Sequence, residues 1–115
     1  MANLLFVCSE NKLRSATAES YFAQFKDIST IGAGTNKDAA TTISGDLIDW
    51  AQYIFVMEKS HRNKLAKKYK ELLVGKKFIV LDIPDNYDYM DPDLIQILDR
   101  KISSFINLKI DEAHE

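Results

Sequence analysis

The chain has 115 residues, of which 46% are hydrophobic, and its 15 basic and 17 acidic residues give a formal net charge of −2. This length predicts a single domain over residues 1–115, because it suffices for one core and is too short for two. The near balance of charge argues against nucleic acid or a membrane surface as a partner. The N-terminal residues lack a signal-peptide pattern and no apolar run could span a bilayer, so we expect a cytoplasmic protein.

The first third of the chain predicts a strand, a helix and a second strand. Residues 4–7, "LLFV", form a continuous apolar run that is typical of a strand buried on both faces. From Ser15 onward, apolar residues recur at i, i+3, i+4 and i+7, which predicts a helix that ends near residues 26–27. Residues 28–34, "ISTIGAG", indicate a weaker strand that ends in two closely spaced glycines.

The middle of the chain predicts a short helix, a strand and a longer helix. Residues 35–44 are typical of a loop, and it ends at Ser44, a candidate N-cap for the short helix. Residues 53–57, "YIFVM", are a second unbroken apolar run and predict a buried strand. Ser60 then is a candidate N-cap for a basic helix that we expect to stop at Gly75.

The last third predicts one more strand and a final helix. Residues 77–81, "KFIVL", indicate a third buried strand, followed by the polar loop "DIPDNYDYM" over 82–90. Asp91 as N-cap and Pro92 at the first helical position begin the final helix. The apolar face of that helix is expected to consist of Ile95, Leu98, Ile102 and Phe105. The tail at 111–115 is expected to be frayed.

Strands that alternate with helices and are wholly apolar predict an α/β fold, with a parallel sheet covered by helices on both faces. In such folds ligands bind beyond the carboxyl ends of the strands. Cys8 ends the first predicted strand, and the loop 82–90 follows the last one. We therefore expect both at the same edge of the sheet.

Cys8 is the only cysteine, so it forms no internal disulfide and stays a thiol in a reducing compartment. The short loop after it leads into a helix, an arrangement whose backbone N–H groups and helix dipole bind anions and favour a thiolate. Arg14 adds a planar fork that matches two phosphate oxygens. Ser15 can donate its hydroxyl toward the sulfur, and Asn11 can brace the loop. The alternative is that Cys8 is a small buried hydrophobic residue and Arg14 a surface cap.

Cleavage of a phosphate ester at a cysteine also needs a proton for the leaving oxygen, which a carboxylic acid can supply. The loop after the last predicted strand offers four candidates: Asp82, Asp85, Asp88 and Asp91. Asp91 is explained as a helix cap and Asp82 lies close to the strand, so Asp85 and Asp88 remain. Tyr87 and Tyr89 flank them, and these rings either form the wall of an entrance or pack within the loop.

The stretch "VCSENKLRSATAE", residues 7–19, resembles the phosphate-binding loop of the low-molecular-weight protein tyrosine phosphatases, which carry Cys-x5-Arg-Ser near the N-terminus. Residues 32–35, 53–65 and 83–90 are similar to later segments of that family, so the resemblance covers nearly the whole chain. It is strongest to the short bacterial predicted tyrosine phosphatases of this superfamily. It implies a three-layer α/β fold with a four-stranded parallel sheet flanked by helices and the phosphate-binding loop after the first strand.

The resemblance further implies a cysteine-dependent phosphatase that hydrolyses phosphate monoesters, with protein phosphotyrosine as the expected substrate and a phosphocysteine intermediate. It implies Cys8 as the nucleophile, Arg14 as the phosphate clamp and Asp85 as the general acid, and it matches Ser15 to a thiolate-stabilising hydroxyl and Asn11 to the loop brace. The implied substrate-binding residues are Ser9, Glu10, Asn11, Lys12, Leu13, Arg14, Ser15 and Tyr87. The expected partners are a phosphorylated protein or a small phosphate ester, with inorganic phosphate as product and no metal or cofactor.

Some residues depart from the family pattern. Glu10 replaces a loop glycine, Asn86 replaces the proline after the acid, and Gly32 stands where many members have a serine. Lys12 stands at a position that helps to choose between phosphotyrosine and phosphoarginine. A second hypothesis is therefore a phosphate- or phosphoprotein-binding module with little turnover. A third is an arsenate reductase, which would need an external thiol because the chain has a single cysteine.

The predicted basic helix carries seven basic or histidine side chains: Lys59, His61, Arg62, Lys64, Lys67, Lys68 and Lys70. Such a helix could guide a polyanion, but the same pattern is typical of a solvated helix face. We interpret His61, at its start, as a capping residue. Two widely separated histidines and one cysteine show no metal-ligand spacing.

Overall fold

The computed structural model describes residues 2–108, in which four strands alternate with four helices. The elements in chain order are β1 (Ala2–Cys8), α1 (Arg14–Phe22), β2 (Ile28–Gly34), α2 (Gly45–Trp50), β3 (Tyr53–Val56), α3 (Lys59–Lys68), β4 (Lys77–Val80) and α4 (Pro92–Ser103). The tail at 111–115, predicted to be frayed, lies outside the described residues. No helix within 2–108 is both long enough and apolar enough to cross a membrane.

The four strands form one parallel sheet in the order β2-β1-β3-β4. Alternate residues of a strand face opposite sides of the sheet. Leu4 and Phe6 of β1 therefore join the core cluster under α1 and α4, whereas Leu5 and Val7 join the cluster under α2 and α3. The predicted three-layer α/β fold is confirmed, and the carboxyl end of β1 lies at the same edge as the loop after β4.

Helix α1 is shorter than its apolar pattern predicts. It ends at Phe22, not near residues 26–27, and a turn follows. The chain must enter β2 at Ile28, which pairs with Ala2 at the start of β1. Asp27 makes this change of direction with a left-handed backbone (φ 64°), a conformation that Asp tolerates better than most residues.

Helix α3 begins and ends earlier than predicted. Glu58 is the N-cap in place of Ser60, and its side chain forms a reciprocal capping box with His61, which confirms that this histidine caps the helix. The helix ends at Lys68 because Tyr69 leaves helical angles (φ −124°, ψ 30°), and turns carry the chain onward to β4. The predicted stop at Gly75 was therefore wrong.

The N-caps of α2 and α4 are the residues predicted from the sequence, but the buried face of α4 differs from its prediction. Ser44 accepts a hydrogen bond from the Leu47 amide, and Asp91 accepts one from the Asp93 amide, as N-caps should. On α4 the fully buried residues are Leu94, Leu98 and Ile102. The predicted roles of Ile95 and Phe105 were wrong: Ile95 is only half-buried and Phe105 is 47% exposed.

Candidate active site

Three backbone carbonyls at the start of the loop between β1 and α1 are held by hydrogen bonds. These carbonyls accept hydrogen bonds from the β2–α2 loop: Cys8 O from Thr35 N (2.9 Å), Ser9 O from Asn36 N (2.9 Å) and Glu10 O from Ala40 N (3.1 Å). A trans peptide points the next residue's N–H opposite to its carbonyl. The Asn11 amide, which follows the Glu10 carbonyl, therefore points away from the β2–α2 loop. The Asn11 N–H donates to Cys8 Sγ at 3.2 Å.

The close approach of the two loops depends on a glycine at the end of β2. A β-carbon at Gly34 would lie 2.5 Å from the carbonyl oxygen of Ser9 and 2.5 Å from the β-carbon of Ala39. Any side chain at this position would therefore push the β2–α2 loop away from the carbonyls that it holds. Sequence reasoning treated residues 35–44 only as a connection. The glycine that ends the second strand was the available signal for a contact there.

Cys8 is 4% exposed, and its sulfur lies in a chain of buried polar groups. Ser15 Oγ lies 2.8 Å from Cys8 Sγ and donates to Asn11 Oδ1 at 2.7 Å, while Asn11 Nδ2 donates to the Gly32 carbonyl at 3.0 Å. A β-carbon at Gly32 would lie 2.5 Å from Asn11 Oδ1, so this position accommodates only glycine in the present arrangement. The brace that the sequence predicts for Asn11 thus runs to the backbone.

The hydrogen bonds among Cys8, Ser15 and Asn11 can be arranged in two ways, which differ in where the Ser15 proton points. A serine hydroxyl has one proton, so while Ser15 donates to Asn11 it accepts from the Cys8 thiol. If Cys8 is a thiolate, the sulfur can only accept, and the Ser15 proton turns toward it. The hydroxyl of Ser15 and the amide of Asn11 then both donate to the sulfur, which stabilises its negative charge.

Arg14 is buried, with 4% of its surface exposed, and one edge of its guanidinium is fixed. Its Nη1 donates to Glu58 Oε2 at 2.5 Å and to the Ile83 carbonyl at 2.8 Å. Since Nη1 carries two protons, both are used. The edge formed by Nε and Nη2 is left with N–H groups in the parallel geometry that matches two phosphate oxygens.

Asp85 is the carboxylate nearest to that free edge. Its Oδ1 lies 3.8 Å from Arg14 Nε, which is an ion pair too long for a hydrogen bond, and its side chain is 64% exposed. Asp88 is exposed and does not line the pocket beside Cys8, whereas Asp91 caps α4. The structure therefore brings Asp85 to the site and leaves Asp88 outside it.

A pocket of about 190 Å³ opens over Cys8, and its lining consists of Cys8, Ser9, Glu10, Lys12, Leu13, Arg14 and Asp85. Glu10 and Lys12 form an exposed ion pair with 3.2 Å between Oε2 and Nζ. Lys12 thus offsets part of the negative charge of Glu10 at the pocket. Asn11 and Ser15 are buried, bonded to the Cys8 sulfur and to each other, and do not line the pocket.

Tyr87, predicted to bind substrate, lies elsewhere. It is half-buried, packs against the core cluster under α4, and is not part of the pocket lining. Besides the bond from Arg14 to the Ile83 carbonyl, two hydrogen bonds join the loop 82–90 to α1. The hydroxyls of Tyr89 and Ser20 lie 2.8 Å apart, and the Met90 amide donates to Thr17 Oγ1 at 2.9 Å.

Glu58 and His61, at the start of α3, contact the site although sequence reasoning gave them no part in it. The hydrogen bond from Arg14 lowers the pKa of Glu58, so its carboxylate stays charged beside the guanidinium. Burial, and after it the positive charge of Arg14, lower the pKa of His61 from 6.5 to about 4. The available signal was position, because both residues directly follow the apolar run of β3 at the same edge of the sheet as Cys8.

The neutral state of His61 makes the stability of the fold depend on pH. Unfolded, this histidine titrates near 6.5, and folded, near 4, so the unfolded chain binds more protons between those values. The free energy of unfolding should therefore be full above about pH 6.5 and fall as the pH drops to 4, by at most about 3 kcal/mol. Urea denaturation across this range measures the loss. His61→Asn should flatten the slope, and an equally steep slope in that variant would contradict the assignment.

No protein-family model and no curated protein matches the sequence. Solved structures do match. The YwlE arginine phosphatase from Geobacillus stearothermophilus is 19% identical with a TM-score of 0.73, and the match covers 90% of this chain and 92% of that one. The low molecular weight protein tyrosine phosphatase from T. tengcongensis is 20% identical with a TM-score of 0.73, covering 91% of this chain and 100% of that one.

A third similar structure, Wzb from Vibrio vulnificus, was solved in complex with benzylphosphonate; it is 20% identical with a TM-score of 0.70 and covers 90% of this chain and 96% of that one. At such identities the likeness shows the fold. The fold that the sequence resemblance implied is therefore confirmed: this chain folds as the low molecular weight protein tyrosine phosphatases do.

Proposed function

We propose that this protein is a cysteine-dependent phosphatase that hydrolyses phosphate monoesters through a phosphocysteine intermediate. One observation carries the proposal. Cys8, the loop residues Ser9 and Glu10, Arg14 with its fixed Nη1 edge, and Asp85 line the same pocket, and the Asn11 amide donates to the Cys8 sulfur. These are the groups that phosphoryl transfer to a side chain needs: a nucleophile, anion-binding donors and an acid.

In the first step the Cys8 thiolate attacks phosphorus in line with the leaving oxygen. The S–P bond forms as the P–O bond breaks, and protonated Asp85 gives its proton to the leaving oxygen. The loop amides and the Nε and Nη2 groups of Arg14 hold the remaining phosphoryl oxygens, where negative charge is spread in the transition state. A phosphoryl group bound at this edge replaces the 3.8 Å contact between Asp85 and Arg14.

In the second step the same groups reverse their roles. The Asp85 carboxylate takes a proton from a water molecule, and the oxygen of that water attacks phosphorus. The S–P bond breaks, the electron pair returns to Cys8 as thiolate, and inorganic phosphate leaves. The hydrogen bonds from Asn11 and Ser15 make the sulfur a better leaving group by stabilising its charge.

We infer a phosphorylated protein, with phosphotyrosine as the first residue to test, as the substrate. Support comes from the fold, which is shared with a protein tyrosine phosphatase. Phosphoarginine is the competing candidate, since an arginine phosphatase shares the same fold. The single thiol of Cys8 suits a reducing compartment, and we propose that the enzyme works in the cytoplasm.

The test is hydrolysis by the purified wild-type protein of an aryl phosphate, a phosphotyrosine peptide and a phosphoarginine peptide. We expect release of phosphate. If hydrolysis of the phosphocysteine is slower than its formation, a rapid-mixing experiment should show a burst of aryl alcohol equal to the amount of enzyme. Acid quenching during turnover followed by mass spectrometry should find one phosphoryl group on the peptide containing Cys8. Turnover without any phosphorylated Cys8, in quenches taken from the burst onward, would contradict the mechanism.

A binding module with little turnover is the second candidate, and the exposed position of Asp85 favours it. A general acid that is 64% exposed and 3.8 Å from the phosphate-facing edge is less firmly positioned than the other groups of the site. This alternative predicts that a phosphopeptide binds reversibly and remains intact for hours. Release of phosphate at a rate proportional to enzyme concentration would exclude it.

A further inference from the structure

His61 has a fixed proton position. Its Nδ1 accepts a hydrogen bond from the Glu58 amide at 3.1 Å, so Nδ1 carries no proton. The ring is 1% exposed and neutral, and a neutral imidazole carries its one proton on the other nitrogen. Nε2 is therefore a donor, and its partner at 3.0 Å is the hydroxyl of Ser9.

This tautomer decides what the Ser9 hydroxyl can do. A hydroxyl can accept from Nε2 and still donate its own proton. With the opposite tautomer, Ser9 would have to donate to Nε2 and would have no proton to offer elsewhere, but the Glu58 amide excludes that tautomer. Among residues 2–108, His61 is the only side-chain partner of Ser9 Oγ, and Ser9 lines the pocket beside Cys8 and Arg14.

We propose that His61 is a positioning residue that directs the Ser9 hydroxyl at an oxygen of the bound phosphoryl group. The inference rests on the proposed phosphate site and adds a side-chain donor to it. The same turn of α3 supplies Glu58, which fixes the Nη1 edge of Arg14. The capping box that begins α3 thus orients two phosphate-binding donors, one through each of its members.

The variant His61→Asn keeps one hydrogen bond of the imidazole, to the Glu58 amide, and removes the other, to Ser9. The side-chain oxygen of asparagine stands close to where Nδ1 was and still accepts from the Glu58 amide, whereas nothing reaches Ser9 in place of Nε2. We expect this variant to weaken the affinity for inorganic phosphate, measured by NMR titration, about three- to tenfold, the loss typical of one hydrogen bond to a charged group left unfixed. Ser60→Ala, on the exposed preceding residue, is the matched control and should bind phosphate as the wild type does.

A double-mutant cycle shows whether His61 acts through Ser9. Ser9→Ala should weaken phosphate binding at least as much as His61→Asn, and the double variant should be no worse than Ser9→Ala. KM for an aryl phosphate should rise in the same pattern. Additive losses, or wild-type phosphate affinity in Ser9→Ala, would overturn the inference.

The tautomer of His61 can be measured on the wild-type protein, so this test does not require any variant to fold. The imidazole ¹⁵N spectrum should show the His61 proton on Nε2, and phosphate should shift that resonance in wild type but not in Ser9→Ala. A proton on Nδ1 would overturn the proposal. Phosphate binding with this signature but without hydrolysis would leave the inference standing while the proposed catalytic function failed.

Discussion

Cys8→Ser is expected to lower the turnover of an aryl phosphate by a factor on the order of 10⁴ or more while phosphate still binds. The introduced hydroxyl occupies nearly the same place as the thiol but stays un-ionised at neutral pH and is a poor nucleophile without a base. The anion-binding groups do not depend on sulfur, because the β2–α2 loop holds the loop carbonyls and Glu58 holds Arg14. Steady-state kinetics and calorimetric titration with inorganic phosphate measure the two quantities.

Two further variants provide comparisons for the loss of turnover in Cys8→Ser. Ser15→Ala removes the hydroxyl 2.8 Å from the sulfur but keeps the nucleophile, so we expect a smaller loss of turnover, roughly 10- to 100-fold. Ser104→Ala, on the exposed end of α4, should behave as the wild type. Wild-type turnover in Cys8→Ser would refute the nucleophilic role of Cys8. Loss of phosphate binding along with turnover would show that the sulfur holds the loop in shape.

The sequence predicts those parts of the fold that depend only on how deeply one continuous segment is buried. Residues 4–7 and 53–57 are apolar throughout because both faces of β1 and β3 are covered, so their strands can be recognised without knowing their neighbours. The ends of α1 and α3 depend on other segments. The register of β2 against β1 determines where α1 must stop, and no periodicity within the helix contains that information.

The same division holds for the candidate site. Cys8, Asn11 and Arg14 could be recognised because the loop that carries them is contiguous in sequence and its chemistry is local. Glu58 could not, since its bond to Arg14 joins residues 44 positions apart and exists only through the pairing of β1 with β3. Tyr87 illustrates the converse: it lies two positions after Asp85 in sequence, yet it packs against the core cluster under α4 in the structure.

Arg14→Lys is expected to lower kcat/KM for an aryl phosphate roughly 10²- to 10³-fold, although the positive charge is kept. A lysine ammonium can pair with Glu58, but as a single point it cannot hold that contact and also present two parallel N–H groups to phosphate. At a position that is only 4% exposed, few water molecules can satisfy its other protons. Kinetics give the loss of activity, and urea denaturation should show a loss of stability of about 1–3 kcal/mol from the missing hydrogen bonds.

Arg62→Lys is the matched control, since Arg62 is exposed on α3 and, within residues 2–108, its side chain bonds only to the neighbouring Asn63. It should leave both activity and stability unchanged. Because the charge at position 14 is the same in both proteins, any difference between Arg14→Lys and wild type reports the geometry of the guanidinium. A lysine variant that binds phosphate and turns over like the wild type would mean that Arg14 acts only as a charge. The fixed Nη1 edge would then have no bearing on how the phosphoryl group is held.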